Sequence, residues 1–318
     1  MRKSKTPVRQ FVRLNLRRIA YALCLLAGSS RGWAASASPA GAPPPAATSP
    51  ATTNREAADD AREGEGSGDS TEALAKAAQN PVANLISVPF QNNFNHGIGP
   101  NDVTQWVLNF QPVIPVTLNK DWNLITRTII PTINQPSPAS GVPSAFGLGD
   151  INPTAFLSPA HSGKLIWGVG PTFTFPTATD PLLGAGKWSA GPAVVALTIC
   201  GHWVAAALAN NQWSFAGWGD KDVNAMLIQP FINYNLKHGW ALSFAPIITA
   251  NWDAPSGQQW TVPLGLGVSK TTRFQRRPIQ LGLQYYRNVE HPDAAAASQL
   301  RFVLSLLFPT APPPKPSQ

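Results

Sequence analysis

From residue 226 to residue 248 the chain alternates. Met226, Ile228, Ile232, Tyr234 and Leu236 are apolar at every second position, and Pro230 holds the phase. After Lys237-His238-Gly239 the beat resumes at Trp240, Leu242, Phe244, Pro246 and Ile248. The residues between them are small or polar: Gln229, Asn233, Asn235, Ala241, Ser243 and Thr249. Period two marks a strand with one apolar face. The same beat runs through Trp106, Leu108, Phe110, Ile114, Val116 and Leu118, then through Leu165, Trp167, Val169, Phe173 and Phe175. It returns at Trp260, Val262, Leu264, Leu266 and Val268, at Ile279, Leu281, Leu283 and Tyr285, and finally from Leu300 to Phe308. From 82 to 308 the pattern predicts about twelve strands of ~10–14 residues, against the ~9–11 that a tilted strand needs to cross a bilayer. It predicts no helix there.

The connections sort by length. Asn119-Lys120-Asp121, Cys200-Gly201-His202 and Lys237-His238-Gly239 read as tight turns, and Ser158 to Gly163 and Lys270 to Pro278 as moderate ones. Longer connections fall near 134–148, 176–187, 209–222, 251–259 and 288–298. Short and long alternate, as in an up-and-down barrel of an outer membrane, with short periplasmic turns and long outer loops. A soluble sandwich or lipocalin-type barrel also alternates, but turns a charged face to water. Here the second parity is Asn, Gln, Thr, Ser, Gly and Ala, and Lys and Glu keep to the connections. Trp122, Trp188, Trp203, Trp213, Trp218, Trp240, Trp252, Trp260 and Tyr285 stand near strand ends, where aromatic girdles meet the two membrane interfaces. The expected fold is therefore all-β: a transmembrane antiparallel barrel with its apolar parity toward lipid, because only a closed sheet satisfies every backbone group in hydrocarbon. The last strand ends in Phe308, as such barrels commonly do, although ten residues follow it.

Six prolines share the lipid-facing parity: Pro112, Pro153, Pro171, Pro192, Pro230 and Pro246. Proline gives no ladder hydrogen bond and belongs at edges, strand starts or bulges, and a closed barrel has no edge. The expectation is a bulge at each.

The formal charge of +8 changes little. Residues 1–34 carry eight basic groups and no acid, and the remainder balances, which argues against a nucleic-acid partner. The basic start, the apolar run Ile19 to Gly28 and the small residues Ala34, Ala35 and Ala37 have the order of a secretory signal peptide, expected over 1–35. Its removal would take Cys24 and leave Cys200 without a disulfide partner, as a small hydrophobe buried or facing lipid. Residues 36–71 read as a disordered Ala/Pro/Ser-rich linker. Residues 72–81 read as a short helix and lead-in, 82–308 as the barrel and 309–318 as a polar Pro-rich tail.

The opposite parity should line the lumen: Gln105, Asn109, Gln111, Asn123, Arg127, Gln229, Asn233, Asn235, Gln280, Gln284, Arg301 and Ser305. Arg127 and Arg301 are cations inside strands. They set a field that favours anions, form a plug-like internal salt bridge, or snorkel near an interface. Phe146 to Pro153, "FGLGDINP", is either a gate or a Gly-rich strand start. Lys270, Arg273, Arg276 and Arg277 read as a solvated periplasmic turn. His96, His161, His202, His238 and His291 all fall in or beside turns with no nucleophile at a recognisable spacing. No catalytic residue, cofactor or metal is expected, and the chain reads as no enzyme. A lipid-modifying enzyme and a structural or adhesive barrel remain the rival classes. The expected partners are outer-membrane lipid and lipopolysaccharide, the barrel-assembly machinery and an unspecified small solute.

Four segments carry a family resemblance: Asn80 to Asn95 ("NPVANLISVPFQNNFN"), Leu108 to Pro115 ("LNFQPVIP"), Asp121 to Pro131 ("DWNLITRTIIP") and Gly147 to Ile151 ("GLGDI"). With these the chain resembles a proteobacterial outer-membrane barrel family, transporter-like and related to the "MetA-pathway of phenol degradation" proteins. The resemblance covers about 72–308. It implies an outer-membrane β-barrel acting as a channel or uptake porin, with aromatic or other small hydrophobic compounds as the implied cargo. It carries over no catalytic residue.

Overall fold

A computed structural model describes residues 85–218, 222–275 and 277–309. The expected signal peptide, linker and short helix lie outside the described residues, as does the tail beyond Pro309. The described residues form one antiparallel sheet. Its strands are β1 (Leu85–Ile98), β2 (Val103–Phe110), β3 (Val113–Thr117), β4 (Trp122–Gln135), β5 (Ala145–Leu148), β6 (Asn152–Pro159), β7 (Leu165–Thr174) and β8 (Lys187–Cys200). They continue as β9 (Trp203–Gly217), β10 (Asn224–Asn235), β11 (Trp240–Phe244), β12 (Ile248–Asn251), β13 (Trp260–Phe274), β14 (Arg277–Glu290) and β15 (Ser298–Pro309).

Three pairs are halves of single staves. β2 and β3 both lie between β1 and β4, β5 and β6 both lie on β4, and β11 and β12 both lie between β10 and β13. Twelve staves result, as the alternation predicts. The sheet closes where β15 pairs with β1, from His96↔Ser298 to Leu85↔Pro309.

An even stave number brings both ends of the barrel to one rim. That rim carries the connections 118–121, 160–164, 201–202, 236–239 and 275–276; the other carries the short 99–102 and the longer 136–144, 175–186, 218–223, 252–259 and 291–297. Short turns mark the periplasmic side. Two connections differ from the sequence expectation. β13 runs to Phe274 and β14 starts at Arg277, so most of 270–278 is strand, and β9 extends to Gly217 into the supposed loop 209–222. At the hairpin joining Cys200 to Trp203, Gly201 takes φ 56, the positive-φ conformation a two-residue turn requires.

The apolar parity faces outward. Leu264, Leu266, Val268, Leu283 and Phe302 are exposed in the isolated barrel, Leu266 by 69 %. Such a belt is stable only against lipid. Aromatic side chains flank it at both rims: Trp252 meets Trp260 edge-on at 5.4 Å on the outer side, and Trp203 meets Tyr234 at 4.8 Å on the inner side. Cys200 is exposed beside the periplasmic turn rather than buried.

The prolines correct the bulge expectation. Register shifts occur at Asn95/Ile98, at Trp188/Ser189, at Val262/Pro263 and across the β5–β6 junction, all toward the outer rim. None falls at the six prolines. Pro112 and Pro246 instead sit in the strand breaks between β2 and β3 and between β11 and β12, and the register resumes unchanged. Pro171 and Pro192 are direct partners, so their missing N–H groups point away from each other, toward β6 and β9. The pairing lapses on those two sides. Neighbouring side chains replace two lost donors. Phe173, which the β6–β7 register sets opposite Pro153, accepts from Asn152 Nδ2 at 2.6 Å. Trp167, opposite Pro159, accepts from Ser158 Oγ at 2.7 Å. A polar residue before the proline satisfies the carbonyl that the proline abandons.

Candidate functional site in the barrel lumen

The inward parity makes two unlike walls. At mid-height one wall, drawn from β4, β6, β8, β9 and β10, is apolar, although Arg127 on β4 and Gln229 and Asn233 on β10 share the inward parity. Ile125, Phe156, Ala193, Val195 and Leu208 form a buried cluster, with Val113, Leu227 and Phe231 packed on it. Leu197, Val204 and Ala206 extend it toward the periplasm. This corrects the expectation of a uniformly polar lumen. The reason is visible in the middle of β9, where Ala205, Ala207 and Ala209 take the lipid side while Val204 and Leu208 point in. This cluster fills part of the interior, and the space that remains is lined mainly from β1, β3 and β10–β15, with Gln105, Gln135, Arg127, Val195 and Leu208 added by β2, β4, β8 and β9.

Two spaces there are bordered by the lumenal arginines. A vestibule of about 360 Å³ opens at the outer rim among Asn95, Gln105, Gln135, Asn288 and Gln299. A central cavity of about 220 Å³ lies among Gln111, Arg127, Gln229, Asn233, Gln280 and Gln284, with Val113, Val195, Leu208 and Phe231 opposite. Arg301 lines both and so stands at the step between them.

Arg301 is 2 % exposed. Its Nε donates to Asn93 Oδ1 (3.1 Å), Nη1 to Ala245 O (3.0 Å) and Gln284 Oε1 (3.2 Å), and Nη2 to Gln299 Oε1 (2.7 Å). Its guanidinium lies 5.1 Å from the Tyr286 ring centre. Tyr286 in turn donates to Gln284 and accepts from Ala245 N at 3.0 Å. Ala245 and Pro246 form the break between β11 and β12, so the broken backbone there is held by Tyr286 on its N–H and Arg301 on its carbonyl.

From Arg301 an amide chain runs around the vestibule. Gln299 Nε2 donates to Asn95 Oδ1 (2.8 Å), Asn95 Nδ2 to Gln105 Oε1 (2.9 Å), Gln105 Nε2 to Gln135 Oε1 (2.6 Å) and Gln135 Nε2 to Pro136 O (2.8 Å). Each donor polarises the next. The chain crosses β15, β1, β2 and β4, residues far apart in sequence but adjacent by register.

Arg127 is held differently. Its Nη2 donates to Gln111 Oε1 at 3.0 Å, its one hydrogen bond among the described residues. No carboxylate lines the central cavity. Among the described residues the one ion pair is Lys187–Asp222, 3.5 Å, at the outer end of β8. Arg127 and Arg301 therefore border two spaces whose other polar lining groups are neutral.

Eight of the twelve residues singled out from sequence line the central cavity: Gln111, Arg127, Gln229, Asn233, Gln280, Gln284, Arg301 and Ser305. Gln105 lines the vestibule. Asn109 and Asn123 share the inward parity of their strands without lining either space, and Asn235 reaches the His202 carbonyl at the periplasmic turn. Sequence reasoning missed Gln91, Asn93, Asn95 and Gln299, although the same parity rule marks them. It also missed Tyr286, whose neighbour Tyr285 faces out.

The Gly-rich stretch has a definite task. Gly147 and Gly149 face inward; a Cβ on Gly147 would collide with Thr179 Oγ1 of the loop 175–186, and one on Gly149 with the Ile133 and Pro131 side chains of β4 and then the Leu183 carbonyl. Asp150 fastens that loop, accepting from Ala178 N (3.1 Å) and Ala185 N (2.7 Å), and Leu183 is buried beneath it. The loop thus folds over the inner face of β5 at the outer mouth.

Across the first hairpin, His96 Nδ1 lies 2.8 Å from Thr104 Oγ1 on the outer surface. No further group orients this ring among the described residues, so the pair lacks the third member of a nucleophilic triad.

A closed twelve-stave barrel with a lipid-exposed apolar belt, aromatic rims and a polar passage is a transmembrane β-barrel of the bacterial outer membrane. No known family pattern and no curated protein sequence matches the chain. Solved structures do. The COG4313 outer membrane channel from Pseudomonas putida F1 aligns over 70 % of this chain and 94 % of its own, at 17 % identity and a TM-score of 0.54. The NanC porin aligns over 70 % and 100 % at 7 % identity, TM-score 0.46. The outer membrane phospholipase of Salmonella typhi aligns over 70 % and 90 % at 13 % identity, TM-score 0.42. The first establishes the fold; the other two are too loose to decide anything further.

Proposed function

We propose that this barrel is an outer-membrane channel that passes small solutes and favours anions. One observation carries the reading: Arg127 and Arg301 face the same passage with no carboxylate among its lining residues. A cation ring without counter-charge is how pores select anions. The likeness to a solved outer-membrane channel supports it. So does the resemblance to the transporter-like family related to phenol-degradation proteins, to which we assign the chain. The apolar wall around Phe156 and Phe231 suits cargo with an apolar body, in keeping with the aromatic or hydrophobic compounds that the resemblance implies. In this reading lipopolysaccharide surrounds the outer rim and the barrel-assembly machinery inserts the chain.

The test is single-channel recording in planar bilayers with a KCl gradient. Discrete open steps with a reversal potential toward that of chloride are expected. A membrane-inserted, heat-modifiable but silent barrel would overturn the channel reading and favour a structural role or lipid chemistry at His96 and Thr104.

A further inference from the structure

We propose that the central cavity binds small organic monocarboxylates with a compact apolar body, the carboxylate on Arg127 and the body against Val113, Val195, Leu208 and Phe231. This deepens the channel reading by naming its cargo, and it rests on that reading.

The cation comes first. Arg127 uses one of its guanidinium N–H groups on Gln111. Among the described residues no fully buried side-chain nitrogen or oxygen lacks a partner. The remaining N–H groups of Arg127 are therefore not sealed in protein; they open onto the cavity that Arg127 lines. Arg301 differs, because four of its donors are fixed to protein oxygens. It shapes the step, and Arg127 is the group left to meet a ligand. A guanidinium fork with free parallel donors matches a carboxylate.

The apolar surface begins one residue away. Val113 is the cross-strand partner of Arg127 and packs on the cluster of Ile125, Phe156, Val195 and Leu208. Charge and apolar wall thus meet at a single edge, and the edge borders open space. A cavity of about 220 Å³ exceeds the ~150 Å³ that takes up benzene in a dry protein cavity, so one ring with a carboxylate fits.

The two halves of the cavity exclude simpler ligands as the best fit. A neutral hydrocarbon would strip water from Arg127 and return nothing, which is costly. A bare inorganic anion would satisfy Arg127 but gain nothing from the wall. An acid with an apolar body satisfies both at once, while Gln111 and Gln280 offer amides to the second carboxylate oxygen. The ligand class follows from the seam between the walls rather than from either wall.

The experiment uses the full-length protein extracted from outer membranes. Binding of benzoate, acetate and benzamide is measured by calorimetry in detergent micelles, and block of KCl current by the same three in planar bilayers. Benzoate should half-saturate at a concentration roughly tenfold or more below acetate, which lacks the body, and benzamide, which lacks the charge. Arg127→Gln should weaken benzoate roughly tenfold and leave benzamide unmoved. Phe231→Ala should weaken benzoate and leave acetate unmoved, and Arg127→Lys, which keeps the charge without the fork, should retain only part of the benzoate affinity. Benzoate no tighter than acetate, or insensitive to Arg127→Gln in a barrel that still shows heat-modifiable migration, overturns the site. Should Arg127→Gln fail to fold, the Phe231→Ala and Arg127→Lys results decide the matter alone. Current without benzoate binding sinks the site and spares the channel. Benzoate binding without current sinks the channel and spares the site.

Discussion

Removing both lumenal arginines should abolish anion preference, and the size of the effect can be worked from the cavity. Arg127 and Arg301 line the same space of about 220 Å³, and Arg301 also borders the vestibule. Treated as roughly spherical, that space is only about 7 Å across, so a permeating ion passes within about 7 Å of each guanidinium, where Coulomb's law at a water-like ε of ~80 gives ~0.6 kcal/mol per arginine. The sign reverses for a cation, so each arginine separates anion from cation by ~1.2 kcal/mol, roughly sevenfold in permeability, and the pair by roughly fiftyfold. Lower effective dielectric would enlarge this. The substitutions Arg127→Gln and Arg301→Gln remove the charge and leave a shorter polar side chain with two N–H donors in place of five. Each single variant should drop the chloride-to-potassium permeability ratio to about its square root, and the double variant should bring it near one. The assay is reversal potential across a KCl gradient with the dilute side near 0.01 M, where the Debye length of ~30 Å leaves the field unscreened. A wild-type barrel that prefers potassium, or a double variant that keeps its chloride preference, would refute the reasoning.

Four further outcomes follow from single contacts. Asn152→Ala removes the donor that stands in for Pro153 on the Phe173 carbonyl; unfolding in urea should show a loss of about 1–3 kcal/mol, while Asn134→Ala, on the same sheet with no such task, should be near neutral. Asp150→Ala releases the loop 175–186 from two backbone N–H groups and should raise open-channel noise and mean conductance; unchanged currents would show that the loop stays in place without its latch. Phe156→Ala empties part of the apolar half, so conductance should rise while stability falls by about 3–5 kcal/mol in thermal or denaturant unfolding. Gly191→Ala sets a methyl against the Asn211 carbonyl, where an added Cβ would stand 1.7 Å from the oxygen, and the heat-modifiable folded band should be strongly reduced.

The path of each strand was legible because a barrel in lipid imposes one strict rule: every second side chain meets hydrocarbon. Trp106-x-Leu108-x-Phe110 and Leu300-x-Phe302-x-Leu304 obey it, and the same count that found them set Gln111, Arg127 and Gln284 on the other side. The rule fails where outward residues are merely small. Ala205, Ala207 and Ala209 satisfy lipid without announcing it, so the apolar half of the lumen on β8 and β9 went unread. Loop lengths misled at 209–222 and 270–278 because polar and basic residues continue the strands beyond the apolar belt.

Local chemistry along the chain determined the period, and the period determined the stave number, the closure in lipid and which face each residue takes. The prolines were visible as anomalies, but their remedy was not. Only the register shows Asn152 reaching the Phe173 carbonyl, or Pro171 set against Pro192 so that their absent donors point apart. The distinction between the two arginines is also tertiary. Both are lone cations on inward positions of their strands. Asn93, Gln284, Gln299 and the broken backbone at Ala245 converge on Arg301 from four different parts of the chain, whereas Gln111 alone reaches Arg127. A strand's own sequence fixes where a side chain points; closure of the sheet, by bringing remote strands to its tip, decides whether its donors are taken or left open.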